Sequence, residues 1–400
     1  MSTPAALRRR VEYAGPAIFS YGFRPFFLGA AAWAALSIAL WLPQYLGDIA
    51  LPTALSPLDW HIHEMIYGYA AATIAGFLLT AIPNWTGRLP VNGYPLAGLF
   101  ALWLLGRVAI AGSAIWGAGL AAAVDLAFLL TFAAIAFVEV MAGKNWRNLR
   151  VLLVLGLLIA GNVVFHIEAI RHGSANYGIR IGIAALIGLI MLVGGRIVPS
   201  FTHNWLTRNN PGRLPNAFSR FDGATLGLSA LALVCWIAEP QSIVAGALLM
   251  LAGLLQIARQ LRWAGDRTFA DRLVLVLHVA YAFVPIGFLL LGAAIIWPSV
   301  WPVSAGVHAW TAGAIGLMTL AVMTRASLGH TGQELNASLP TQAIYLCALV
   351  AALTRAVAAF EPSTWLLYAA ASAWFLAFGG FVVFYGPLLL GHPPAWSARS

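Results

Sequence analysis

Twelve apolar runs, each about twenty residues long and parted by short polar breaks, dominate the chain and leave it few ways to fold. A hydrocarbon core about 30 Å thick needs roughly 20 apolar residues per helix, about twice the length of a barrel strand. Backbone N–H and C=O groups in lipid must be satisfied without water, so runs of this length read as membrane-spanning helices. They predict helices at 23–42, 60–82, 94–112, 120–142, 149–170 and 177–199, then at 221–238, 241–262, 271–297, 303–324, 339–359 and 364–390. Pro43, Pro57, Pro83, Pro199, Pro240, Pro298, Pro302 and Pro362 fall at or beside the breaks, as punctuation should. The expected fold class is an all-α integral membrane protein of about twelve transmembrane helices. No linker or composition shift cuts the 400 residues, so a single transmembrane domain over 1–400 is expected.

Composition supports this and excludes other classes. At 61% hydrophobic and 9% charged residues, with a mean hydropathy of +0.84, the chain has too little polar cover for a soluble globule. The net charge of +9 does not indicate a nucleic-acid partner, because the basic residues are thinly spread between apolar runs. They read instead as topology signals. Eighteen of the 22 Lys and Arg, from Arg8, Arg9 and Arg10 through Lys144, Arg213 and Arg267 to Arg399, fall on one side. Arg171, Arg180 and Arg355 fall on the other, and Arg107 lies within a span. The positive-inside rule then places both termini in the cytoplasm. The first run is a full span without a small-residue cleavage site, so no cleaved signal peptide is expected. Cys235 and Cys347 lie in apolar stretches, with neither the number nor the spacing of a disulfide frame, a zinc site or an iron–sulfur cluster.

Function is sought among the polar groups that are costly in lipid. Five of nine histidines, His61, His63, His166, His278 and His308, lie within or at the edge of spans. In the second span, Trp60-His61-Ile62-His63-Glu64-Met65 opens the helix at its outer end. Successive helical residues turn by about 100°, so His61 and His63 point apart, while Glu64 shares the face of His61. His166 lies near the outer end of the fifth span, with Asn162 one turn earlier and Glu168 nearby, and His308 enters the tenth from outside. Four imidazoles from three helices therefore share the outer half of the bilayer, a pattern suited to a b-type haem, a copper ion or both. The alternative is buried histidines that hydrogen-bond helices together. His278 enters from the cytoplasmic side, with Tyr281 one turn on, and forms a different tier.

Weaker features accompany them. Asp125, Glu139 and Glu168 are candidates for a proton path, or are partnered by Arg107 and by hydroxyls. Arg88, Arg196 and Arg325 suit haem propionates or a quinone headgroup, with cytoplasmic anchoring as the alternative. The second, sixth and tenth spans each end in an arginine and a polar turn, which hints at three groups of four helices. No CxxCH, Walker loop, HExxH or GxSxG offers a competing catalytic motif.

Several blocks carry a family resemblance. Phe23-Arg24-Pro25-Phe26-Phe27-Leu28, the stretch from Trp60 to Gly87 with Pro83-Asn84-Trp85-Thr86-Gly87 at its end, Gly195-Arg196-Ile197-Val198-Pro199 before Phe201-Thr202, and Met323-Thr324-Arg325-Ala326-Ser327-Leu328-Gly329-His330-Thr331-Gly332 together resemble the NnrS family. The resemblance implies a twelve-span protein of the bacterial inner membrane that handles nitric oxide, associated with haem and copper and with denitrification or nitrosative-stress defence. The family's histidines fall on His61, His63, His166, His278, His308 and His330. His172, His203 and His392 receive no metal.

Three classes of mechanism remain. A membrane haem b with quinol electrons would reduce two NO, with two electrons and two protons, to N2O and water. A haem protein would bind NO without turnover. A transporter would relay protons or a metal ion along intramembrane histidines. The oxidoreductase reading is favoured because protonatable Glu64, Glu168 and Glu139 inside lipid are costly in a mere binder. In it, Glu64 and Glu168 act as catalytic acid–base groups, His63 pairs with His308 across the haem, and His330 and Arg325 belong to a separate inner site.

Overall fold

The computed structural model describes residues 13, 15–361 and 363–391. Arg8, Arg9, Arg10, Pro362, His392 and Arg399, used above, lie outside the described residues. Every predicted run forms a helix long and apolar enough to cross a membrane. These are α1 (Phe23–Leu46), α2 (Pro57–Thr86), α3 (Gly93–Ala111), α4 (Ala118–Ala142), α5 (Leu149–His172), α6 (Tyr177–Asn209), α7 (Arg220–Ala238), α8 (Ile243–Leu261), α9 (Arg272–Ile296), α10 (Val303–His330), α11 (Leu339–Val357) and α12 (Thr364–Leu390). No strand occurs among the described residues.

Local chemistry sets the helix ends. Ser56 caps α2, its hydroxyl oxygen accepting the Asp59 N–H at 3.1 Å ahead of Pro57 in the first turn. Gly47 and Gly87 close α1 and α2 at φ of 88° and 69°, a left-handed conformation that suits glycine. The reading of Pro43, Pro83 and Pro199 as breaks is corrected, because all three sit inside helices. So α6 continues to Asn209 and α10 to His330, which places His330 at a helix end and not in a following turn. Hydropathy marks where lipid ends, whereas a helix continues into polar residues such as Thr202, Asn204 and Thr207 as long as its own hydrogen bonds persist.

Three spans leave α-helical geometry midway. Wide π-helical turns occupy Glu64–Ala70 in α2, Ile190–Gly194 in α6 and Ala309–Leu317 in α10, and such turns gather at functional sites. These are the same three spans whose ends echo one another in sequence. The compact units, however, do not follow three groups of four. One unit takes in the described residues of 1–182, 323–334 and 378–400, and the other 183–322 and 335–377.

In the first unit α1 packs on α2, α3 on α4, and α4 on both α2 and α5. The second unit is built on the α8–α9 pair, with α7 against α8 and the π turn of α10 against α9 and α11. Its interior holds a buried network around Arg259, which donates to the Tyr281 hydroxyl at 2.9 Å, to the Met191 carbonyl in the α6 π turn at 3.3 Å, and to Asp222 at 3.4 Å. Tyr281 donates in turn to Gln256 at 2.9 Å. Gly195 of the Gly195-Arg196 motif permits this packing, since a Cβ there would collide with the Arg259 guanidinium.

Candidate metal centre

All five N-terminal spans deliver a polar side chain to one buried place in the first unit. The α2 π turn begins at Glu64, directly after His63, and both side chains are fully buried. Arg107 comes from α3, Asp125 from α4, and Asn162 and His166 from α5, all at 5% exposure or less. Trp33 of α1 completes the ring.

Glu64 is saturated by donors. His63 Nδ1 donates to its Oε1 at 3.0 Å, Arg107 Nη1 reaches Oε1 at 2.7 Å and Oε2 at 2.6 Å, and Trp33 Nε1 reaches Oε2 at 2.6 Å. Arg107 Nη2 pairs with Asp125 Oδ1, so one guanidinium bridges two buried carboxylates. The other Asp125 oxygen, Oδ2, accepts from Asn162 Nδ2 at 2.7 Å and faces His166 Nε2 at 3.1 Å and His63 Nε2 at 3.3 Å. His63 Nε2 also meets Asn162 Oδ1 at 3.2 Å.

The π turn makes room for this assembly. Gly68 lies within it, and a Cβ there would come 2.7 Å from Arg107 Nη1, 2.8 Å from Glu64 Oε2 and 3.1 Å from Trp33 Nε1. Its carbonyl accepts from Trp103 Nε1 of α3 at 3.0 Å, which ties α3 to the turn where Arg107 enters.

His63, Asp125 and His166 each offer one ligand atom, and these atoms lie within 4.8 Å of one another. An Asp125 oxygen stands within 3.3 Å of both imidazoles, where a porphyrin ring between them would have to pass. The donor set therefore suits an ion better than a haem. Glu64 on the far nitrogen of His63 matches the orienting carboxylate that metal-bound histidines commonly have.

The remaining predicted residues lie elsewhere. His61 turns away from His63, and its ring stacks on Trp41 at 4.1 Å. Arg88 is paired with Glu139 at 2.5 Å, at the helix ends. Arg325 is half-buried in the part of α10 that belongs to the first unit, and the His330 ring packs beside Tyr21 and Phe23 at 5.7 and 5.4 Å. His278 and His308 belong to the second unit. His278 Nε2 meets the Thr202 hydroxyl at 2.7 Å. His308 Nδ1 donates to the Ser304 carbonyl one turn earlier at 2.7 Å, which leaves Nε2 as the ring's acceptor and ligand atom.

Glu168 accepts the backbone N–H groups of Asn176, Tyr177 and Gly178 at 2.9, 3.0 and 2.9 Å, and so caps the start of α6. Backbone hydrogen bonds hold its carboxylate, a role with ample geometric reason. Replacing Glu168 by Ala is expected to lower stability by about 1–2 kcal/mol, in the upper range for a lost helix cap, with no change in metal content. Unfolding in denaturant together with metal analysis checks both.

Sequence reasoning left Asp125 and Arg107 as accessories and passed over Trp33. The signal was present: Arg107 is the sole charged residue of α3, and an ionisable group alone in an apolar span implies a partner on a neighbouring helix.

No curated protein matches the chain. The sequence model of the family described as NnrS protein matches residues 17–392, which include every span and every residue of the buried cluster. The chain therefore belongs to the NnrS family.

Proposed function

We propose that this protein is a bacterial inner-membrane protein, with both termini cytoplasmic, that captures nitric oxide at a buried metal centre formed by His63, Asp125 and His166. The observation that carries the reading is the convergence of two imidazoles and a carboxylate inside a saturated hydrogen-bond shell. Family membership accords with a haem protein of nitric oxide metabolism. A bound metal would supply NO coordination and electron transfer; the chain's residues do the rest. Glu64 holds the His63 ring by its Nδ1, Arg107 offsets the charge of two carboxylates, and Asn162 orients Asp125.

Haem b, where present, has its best axial candidate in His308. Ser304 fixes the tautomer that leaves Nε2 for iron, the arrangement typical of metal-bound histidine. A non-haem metal finds two imidazoles and a carboxylate at the first-unit cluster. Quinol is the electron donor in this reading, NO and lipid are the other partners, and Arg88 and Arg325 are the basic groups that would meet a headgroup or propionate.

Reduction of two NO by two electrons and two protons to N2O and water is the second reading. It is favoured by acid–base groups packed against the donor set, which simple binding does not require. The three carboxylates first counted toward it all have structural partners, Glu64 with Arg107, Glu139 with Arg88 and Glu168 with backbone amides. These partners favour NO capture as the primary reading.

The purified full chain titrated with NO tests the proposal. Binding should perturb its visible or EPR spectrum, and His308→Ala should lose the Soret band while keeping the first-unit metal. Absence of any NO-dependent spectral change in metal-replete protein overturns capture. N2O formed with reduced quinol would promote the second reading.

A further inference from the structure

We propose that His63, Asp125 and His166 hold a non-haem ferrous ion, so that NO binds at a site separate from any haem. The inference rests on the reading of the chain as an NO-binding protein, since NO is what selects an open-shell metal over zinc. Two imidazole nitrogens and one carboxylate oxygen are the donor set of mononuclear non-haem iron, in which the protein occupies one face and leaves the opposite face open.

Distances agree with such a face. Ligand atoms about 2.0–2.2 Å from an ion, as for imidazole and carboxylate on zinc, stand about 2.8–3.6 Å apart at angles of 90–110°. Asp125 Oδ2 lies 3.3 Å from His63 Nε2 and 3.1 Å from His166 Nε2, so two of three edges already have that length. The third edge is bounded by the 4.8 Å spread of the group, within reach of an ion's coordination sphere after a small shift of the His166 ring, which packs beside His63 and Phe165.

The surroundings disfavour copper. The donor group is two imidazoles and a carboxylate, without the sulfur that selects Cu(I). The hard carboxylate and two imidazoles remain, and they suit Fe(II). Binding is coordination alone: the NO nitrogen bonds to iron in place of a water ligand, and no other bond breaks and no external electron enters.

The test loads the purified full-length chain anaerobically with ferrous salt, removes excess metal, and measures iron, copper and zinc beside haem. About one non-haem iron per chain is expected. Addition of NO should give the quartet-spin EPR signal of a non-haem ferrous nitrosyl, which a haem nitrosyl does not produce. Asp125→Asn and His166→Ala, each checked for native elution and helix content, should lower bound non-haem iron by at least about tenfold, since even an orienting partner is worth 10–100-fold. Copper or zinc in place of iron, or iron whose NO adduct lacks the quartet signal, overturns the proposal on the wild type alone. An NO response confined to haem overturns both this proposal and capture at the first-unit cluster, whereas copper at the cluster with an NO response overturns the choice of iron alone.

Discussion

Arg107→Leu is expected to be the most damaging single substitution in the first unit, lowering stability by about 3–5 kcal/mol, the usual result when one partner of a buried ion pair is removed. The loss would leave Glu64, now bonded to Arg107 Nη1 at 2.6 and 2.7 Å, and Asp125 as two buried carboxylates with no guanidinium between them. Uncompensated charge, rather than lost attraction, is the larger cost. A triple variant that also carries Glu64→Gln and Asp125→Asn should therefore recover much of the stability, because its buried groups are neutral. Denaturant unfolding of detergent-purified protein reads the difference, and an Arg107→Leu chain that unfolds at the wild-type midpoint contradicts the account.

Glu64→Gln is expected to have a large effect on the site while leaving its three ligands in place. The amide can still accept from His63 Nδ1, yet it no longer carries the charge that holds His63 Nδ1, Arg107 and Trp33 together. Metal affinity should fall about 10–100-fold, the usual cost of losing an orienting partner behind a ligating histidine. Haem content should remain at the wild-type level, since His308 takes its orientation from Ser304 in the second unit. A carboxylate that only shuttled protons would leave metal affinity unchanged, so equilibrium competition with a metal chelator separates the two roles.

Much of the architecture was legible in the sequence because one force sets it. Lipid demands about twenty apolar residues per helix, and the runs in this chain have clean polar ends. The starts were read closely, as at Phe23, Leu149, Tyr177 and Thr364, while the ends beyond Pro83 and Pro199 were not. A proline removes one hydrogen bond without having to stop a helix that is packed among its neighbours.

The site was legible in part. His63 and His166 stood out because imidazoles are rare in lipid, and the turn of about 100° per residue separates His61, which stacks on Trp41, from His63. Asp125 as the third donor was not readable, because nothing local says which of several carboxylates meets two histidines across three helices. The π turn at Glu64–Ala70 was equally hidden, since its cause is tertiary: Gly68 lets Arg107 approach within a distance that a side chain would forbid. Glu168 looked chemical by composition, but the turn before α6 places three amides on it.

The central claim is that the first-unit cluster holds a metal and that this metal binds NO. Its most direct test is X-ray absorption at the edge of whichever metal the purified chain carries outside haem, recorded with and without NO for the wild type and for His63→Ala. The account predicts nitrogen and oxygen neighbours at about 2.0–2.2 Å, the range of imidazole and carboxylate ligands, a new short metal–nitrogen distance on adding NO, and loss of the metal in His63→Ala. A wild-type chain with no metal outside haem, or a metal environment unchanged by His63→Ala, would contradict it.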